Sequence, residues 1–427
     1  MAYNSYIQED NAMRNLIVIS MLLSLIAMPA VSLGENAAHT LITATDLHYL
    51  SPALTDNGPY FTRMIESGDG KVMRYCDALT DAFIDEVIAR QPGCLILSGD
   101  LTFNGARRSH EDLAAKLLRI REAGIPVLAM PGNHDMNMRI SAAFSGESYA
   151  IVPSVTASEF AEIYHDFGFA DAISRDTHSL SYIAEPVPGV CVVMLDTNTP
   201  GAPCAVAAPT FAWLDAQLTR LHASGKKIIA VSHQNLFAHS DLLSKGYVIE
   251  NAQRLLALYI RCGVAINLSG HMHLQHTKRS LSGFPEAATS SLSVSPCQYG
   301  VLELSGDQGT YHTESVDVSA WARRTGQTDE NLLDFAAYAY RFFAGRSREQ
   351  IMAALSAYGA EDAASMADFS IRLNYAYFSG RLDAFQRDAR IEALWAQENK
   401  SFWGLYVASM LRDADTGVCH ARMTFDL

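Results

Sequence analysis

Five apolar runs along the chain end in the same way. Leu41-Ile42-Thr43-Ala44 leads into Asp46 and His48, Leu95-Ile96-Leu97 into Asp100, and 126–130 into Gly132-Asn133-His134-Asp135. Ile228-Ile229-Ala230-Val231 precedes His233, and Val264-Ala265-Ile266-Asn267-Leu268 precedes His271 and His273. Short apolar runs bounded by polar turns read as buried strands. Between them apolar residues recur at helical spacing. Leu79, Phe83, Val87 and Ile88 share one face of a helix over 75–90 that Gln91-Pro92 ends. Leu113, Leu117 and Ile120 mark the next, capped by Ser109 and stopped at Gly124. Thr156 and Glu159 predict a capping box ahead of Phe160, Ile163, Tyr164 and Phe167. Further helices are expected near 210–223 and 251–262, each before a late strand.

This alternation from Thr40 to about Val318 predicts an α/β domain. After His273 the period falls to two through 290–294, 299–304 and 310–318, which predicts antiparallel strands. Beyond Ala320 the β pattern stops. Leu332, Phe335 and Phe342, Ile351 and Leu355, Ile371 and Tyr375, then Phe385 and Leu394 mark successive amphipathic helices, with Ser347 and Gln350 as a capping box. The expected organisation is a signal region at 1–34, a main domain at 35–319 and an all-helical domain of about five helices at 320–427. No Gly/Ser- or Pro-rich tether separates the last two, so the helices should pack on the main domain.

Composition narrows the class. Hydrophobic residues make up 49% and charged residues 18% of 427, as in ordinary globular proteins. A net charge of −14 repels phosphate backbones and argues against a nucleic-acid polymer as partner. The seven cysteines show no CxxC pair, and Cys94, Cys191 and Cys262 sit in or beside apolar segments as expected core residues. Arg14, the apolar run 16–28 and the small residues near Ala30 and Gly34 form a secretory signal pattern. The expectation is an exported chain, secreted or extracytoplasmic, cleaved near Ala30 or Gly34. The apolar run is too short to span a bilayer comfortably, so no stable membrane insertion is expected after cleavage.

In open α/β sheets ligands bind beyond the carboxyl ends of the strands, so five strand ends carrying Asp, Asn and His should converge on one place. Singly, each residue passes as a cap or turn residue; jointly they form a metal-ligand set. Asp, Asn and His suit Mn²⁺, Fe²⁺ or Zn²⁺ better than thiolate-seeking metals. The set is too large for one ion and fits two that share a carboxylate, which clamp the attacking and leaving oxygens of a phosphoryl displacement. Asp100, alone at its strand end, is the natural bridge.

Asp46-x-His48, Gly99-Asp100, Gly132-Asn133-His134-Asp135, His233 and Gly270-His271-Met272-His273 resemble, in order, the motif series of the calcineurin-like metallophosphoesterases. The resemblance covers roughly 40–318. It implies a four-layer αββα sandwich of two mixed sheets flanked by helices. It also implies that Asp46, His48 and His273 bind one divalent ion, that Asn133, His233 and His271 bind the other, and that Asp100 bridges them. A hydroxide between the ions then attacks phosphorus, while His134 neutralises the phosphate or protonates the leaving oxygen and Asp135 helps orient His134. Phe103 stands where purple acid phosphatases of this superfamily carry a tyrosinate ligand, so a tyrosinate-bound ferric ion is disfavoured. Gln234 replaces a second His found after His233 in many relatives, a position that is not a metal ligand.

The stretches 46–58 and 98–105 further resemble an exported bacterial subgroup described as cyclic-nucleotide phosphodiesterase-like, which carries a helical C-terminal domain. The implied substrate is a small phosphodiester, a cyclic nucleotide first. A phosphomonoesterase or nucleotidase, a phospholipid-type phosphodiesterase and an inactive metal-binding module are the alternatives. Selectivity is expected from the cleft walls, namely 136–175, 235–247 and the helical appendage; their Tyr149, Tyr164, Phe237 and Tyr247 could stack a base or belong to the core. His239 and His276 follow metal motifs closely and are read either as substrate contacts or as solvated loop histidines.

Overall fold

The computed structural model describes residues 38–199 and 201–427. The expected signal region lies outside the described residues. The strands are β1 (His39–Ala44), β2 (Cys94–Ser98), β3 (Val127–Met130), β4 (Ala142–Ser145), β5 (Ser148–Ile151), β6 (Ser174–Arg175), β7 (Tyr182–Val187) and β8 (Val190–Leu195). They continue with β9 (Lys227–Ser232), β10 (Val264–Ser269), β11 (His276–Arg279), β12 (Pro285–Ala288), β13 (Gln298–Ser305), β14 (Gln308–Ser315) and β15 (Arg422–Asp426). Among the described residues one sheet runs β15-β14-β13-β1-β2-β3, a second runs β11-β12-β10-β9-β8-β7-β6, and β4 and β5 form a separate hairpin.

Side-chain alternation explains why two sheets become four layers. Along β8, Val192 and Met194 enter a core shared with Leu41, Ile96 and Leu128 of the first sheet. Cys191, Val193 and Leu195 point the other way, under Phe211, Leu214 and Leu218 of helix Ala208–Ala223 and Leu255 and Leu258 of helix Ala252–Arg261. The outer face of the first sheet is covered by Leu79, Phe83 and Val87 of helix Cys76–Arg90 and by Leu113, Leu117 and Ile120 of helix Arg107–Glu122. Strands buried on both faces read as the continuous apolar runs seen in the sequence. β1, β2 and β3 are parallel, as are β8, β9 and β10, so the loaded strand ends leave at common edges.

Helices Val318–Arg324, Glu330–Leu333, Phe335–Ala354, Ala360–Phe378, Ala389–Gln397 and Phe402–Ala414 follow. Leu332, Phe335 and Ala339 join the main core, whereas Ile351, Met366, Phe369, Leu373, Trp395, Val407 and Met410 build a second one around Met272 and Leu274. The side chains that alternate with His271 and His273 are thus held by the helical region. The chain then returns to the first sheet: β15 pairs antiparallel with β14. The helical reading of the last residues therefore stops short of Arg422, because the alternating segment 422–426 has an open edge to pair with.

Three local expectations are corrected. Ser347 is no cap but sits inside the continuous helix Phe335–Ala354. Ser109 lies within a helix that begins at Arg107, and its hydroxyl accepts from Ser51 N at 3.1 Å. The alternation over 290–294 is not a strand; it buries Ser291 and Ser293, whose hydroxyls donate to Asp46 O at 2.8 and 3.1 Å. The Thr156–Glu159 capping box is present, and Cys94, Cys191 and Cys262 are buried free thiols. Among the described residues no helix is long and apolar enough to cross a membrane.

Phe425, 3% exposed, fills the space over Gly309 where any side chain would collide with its ring. Phe425→Ala should lower stability by about 3–5 kcal/mol. Urea unfolding reads it as a lower midpoint, and an unchanged midpoint would mean that β15 does not belong to the cooperative unit.

Candidate metal centre

The loaded strand ends meet. β1 and β2 stay paired past their last strand residues, with Asp46 N donating to Gly99 O and His48 N to Asp100 O, both at 3.0 Å. Gly99, at φ 98°, lies so close to the His233 ring and Gly132 that no β-carbon fits. Asp46, His48, Asp100, His271 and His273 all have left-handed backbone, φ between 46° and 67°. For residues with a side chain this costs on the order of 1–2 kcal/mol each, and such outliers concentrate where a ligand must be held.

Asp46, His48 and His273 form one donor group; Asp100, His233 and His271 form a second. In the first, His48 Nε2 and His273 Nε2 are 3.1 Å apart, and Asp46 Oδ1 lies 3.3 Å from His273 Nε2. Asp46 Oδ2 is occupied by the Thr45 hydroxyl at 2.8 Å and by His271 N at 2.9 Å. Asp46 Oδ1, buried, has no hydrogen-bond partner among the described residues. In the second group His233 donates from Nδ1 to Ser98 O at 2.9 Å, so its Nε2 lone pair faces Asn133 Oδ1 at 3.1 Å and Asp100 Oδ2 at 3.3 Å. His271 donates from Nε2 to Gly246 O at 3.0 Å, which leaves Nδ1 to ligate. Asp100 Oδ2 is 3.9 Å from His48 Nε2 as well, so this one oxygen lies between the two groups. A buried carboxylate oxygen without a proton donor, and lone pairs converging at about 3 Å, fit cations and little else.

Charge balance agrees. Burial works against ionisation of Asp100, yet His233 outweighs it and holds the carboxyl well below the usual range. Burial likewise opposes a charge on His233, but Asp100 and Asp46 raise it to about 9, so these carboxylates favour a positive charge at its Nε2, which a cation can supply in place of the proton. Burial also opposes the charge on Asp46, and His273 and His233 overcome it. Burial and Lys71 keep His48 well below an ordinary imidazole, and burial together with His233 pushes His271 down to about 4. His48 and His271 therefore offer lone pairs.

His134 reaches the same place, its ring against that of His48 with centroids 5.1 Å apart and Nε2 4.0 Å from Asp100 Oδ2. Its Nδ1 donates to Phe103 O at 3.2 Å, so a main-chain carbonyl orients it. The reading of Asp135 as its orienter is corrected. That buried carboxylate accepts instead from Gly132 N, Leu101 N, Thr102 N and the Thr102 hydroxyl at 2.8–3.0 Å, fixing the turn that carries Asn133 and His134. Phe103 turns its ring toward the Leu50–Phe61 cluster.

With this geometry in view, the family model for calcineurin-like phosphoesterase matches residues 40–275. The chain belongs to the calcineurin-like phosphoesterase family. It is a metal-dependent phosphoesterase with a mixed α/β fold and a helical C-terminal region, and 317–417 match the model for the C-terminal domain of cyclic nucleotide phosphodiesterase. No curated protein is similar enough to match the chain. A dimetal phosphatase from Danio rerio is similar in structure at 14% identity and TM-score 0.45, over 65% of this chain and 96% of that one. The inner membrane complex anchor GAP50 of Plasmodium is similar at 12% identity and TM-score 0.38, over 65% of this chain and 85% of its own.

Around the phosphoesterase centre several groups escaped the sequence reading. Lys71, nearly buried, pairs with Asp69 at 2.5 Å, and Asp69 Oδ2 is 3.5 Å from His273 Nδ1. Glu286, wholly buried, accepts from Leu236 N, Phe237 N, Asn267, Ser269 and His239 at 2.7–3.0 Å, anchoring the loop after His233 to the end of β10. A lone carboxylate inside Phe284-Pro285-Glu286-Ala287-Ala288 was the available signal. Of the candidate stacking residues, Tyr164 is core and Phe237 packs on the second sheet's outer cluster. Tyr149 is exposed on β5 beside Tyr60, and Tyr247 lies against His271 with ring centroids 5.0 Å apart. His239 and His276 are neither solvated nor at the centre; they are buried against each other, Nδ1 to Nδ1 at 2.9 Å.

Asp135→Ala strands several buried donors, each worth about 1–3 kcal/mol. A loss of roughly 3 kcal/mol or more in chemical unfolding is expected, with weaker metal retention on dialysis. Unchanged stability would show that the turn does not depend on this carboxylate.

Proposed function

We propose that this phosphoesterase hydrolyses a small phosphodiester, with a cyclic nucleotide as the favoured substrate class. The observation that carries the reading is Asp100 Oδ2, placed between two donor groups so that one carboxylate serves both. The match of 317–417 to the C-terminal domain of cyclic nucleotide phosphodiesterase supports the diester class. Tyr247, beside His271 at the rim of the centre, supports a substrate with a planar base.

A pair of divalent ions, Mn²⁺, Fe²⁺ or Zn²⁺, supplies Lewis acidity toward the phosphoryl oxygens and lowers the pKa of water. Asp46, His48 and His273 would hold one ion, Asn133, His233 and His271 the other, and Asp100 both. His134 is only part-buried, so substrate can reach it. With Nδ1–H committed to the Phe103 carbonyl, its Nε2 is left to carry a proton to the leaving oxygen. Asp135 keeps the turn in place while His134 gives up that proton and regains it.

His134→Ala should lower turnover by about 10²-fold or more while leaving both ions bound, as metal analysis will show. Equal rates would assign the proton to another group or make the protein a binding module. Rates compared side by side on 2′,3′- and 3′,5′-cyclic nucleotides, a nucleoside monophosphate, a glycerophosphodiester and sphingomyelin should favour a cyclic nucleotide. A monophosphate or lipid turned over about a hundredfold faster than the other diesters would overturn the substrate assignment.

A further inference from the structure

A third group of donors lies where the helical region meets the catalytic domain. His276 opens β11, Asp413 is in the last turn of helix Phe402–Ala414, and His420 precedes β15. Their donor atoms lie within 4.8 Å of one another. His276 Nε2 is 3.1 Å from Asp413 Oδ2, and His420 Nε2 is 3.3 Å from Asp413 Oδ1.

The surrounding hydrogen bonds favour one arrangement of the protons. Glu286, already accepting from two backbone amides, Asn267 and Ser269, presents only lone pairs to His239 Nε2 at 3.0 Å, so that nitrogen donates. His239 Nδ1 then accepts from His276 Nδ1–H at 2.9 Å. His276 Nε2 is left as a lone pair pointing at a carboxylate oxygen. His420 Nδ1 lies 2.9 Å from Thr277 O and 3.3 Å from Thr277 N and Oγ1; the shorter contact, to a carbonyl that can only accept, makes Nδ1 the donor, and its buried Nε2 has no hydrogen-bond partner among the described residues. Two imidazole lone pairs and a carboxylate thus converge, each imidazole braced through its other nitrogen, as histidine ligands of metals are. Burial pushes His276 down to about 3 despite Asp413, while against burial His276 and His420 hold the Asp413 carboxyl below the usual range, so a charged carboxylate faces the two imidazoles.

We propose that His276, Asp413 and His420 bind a divalent zinc ion, separate from the catalytic pair, that staples the C-terminal helix and the approach to β15 onto the edge of the second sheet. Two imidazoles and one carboxylate are a donor set that zinc accepts. The His276 and His420 rings stack with centroids 3.7 Å apart and planes 18° from parallel. In-plane coordination by both therefore needs one ring to tilt, and the adjoining cavity of about 650 Å³, lined also by Lys278, Arg412 and Arg422, gives room for it. The staple would act on the centre through sequence proximity, since His276 lies three residues after His273.

The test is metal stoichiometry of the full chain after dialysis against micromolar zinc. Wild type should hold three ions, and Asp413→Asn and His420→Ala two each. His271→Ala, which disturbs only the catalytic pair, should keep the third ion. Anomalous scattering at the zinc edge from wild-type crystals should place a peak among the three side chains, which keeps the proposal testable if a variant fails to fold. Two ions in wild type, unchanged in both variants, or no anomalous peak there, would overturn it.

Discussion

The constraint on which this structure depends is electrostatic: carboxylates and imidazole lone pairs are forced together, out of water, with too few protons to balance them. Asp46 and Asp100 are completely or almost completely buried, and each aims an oxygen at histidine nitrogens rather than at a donor. An uncompensated buried charge costs several kcal/mol. The chain tolerates the arrangement because cations are its natural complement, and because both sheets and the helical region hold the ligand loops in place.

That holding is visible in the backbone. The parallel strands deliver their ends to one edge, and the chain then turns through left-handed conformations at the ligands themselves. Serine hydroxyls grip the Asp46 carbonyl from below, Asp135 closes the turn beneath His134, and Met272 and Leu274 are buried in the helical core on either side of His273. The loop that carries His271 and His273 and the C-terminal helices thus share one core. A change at Met272 would be felt by His271 and His273, its neighbours in the chain.

The strands and the clustered donor residues were legible because each apolar run stopped at a residue type that can ligate metal, and side-chain identity is what a sequence displays. Main-chain groups carry no such signature, so the Phe103, Ser98 and Gly246 carbonyls that orient His134, His233 and His271 could not be read. Asp135 was misread for the same reason: its neighbour in sequence is His134, but its partners are backbone amides. The serines at 291 and 293 mimicked a strand because burial of alternate residues also occurs in a braced loop. Lys71 and the His276–Asp413–His420 group come together only through tertiary packing, from positions with no telling spacing. The return of 422–426 to the first sheet was hidden likewise, since a short edge strand after helices looks like a frayed tail.

The central claim is that Asp100 serves two ions at once. Electron paramagnetic resonance of the protein loaded with two equivalents of Mn²⁺ tests it most directly. The account predicts the exchange-coupled signal of a manganese pair, replaced by the signals of isolated ions in Asp100→Asn. Isolated-ion signals in the wild-type protein would contradict it.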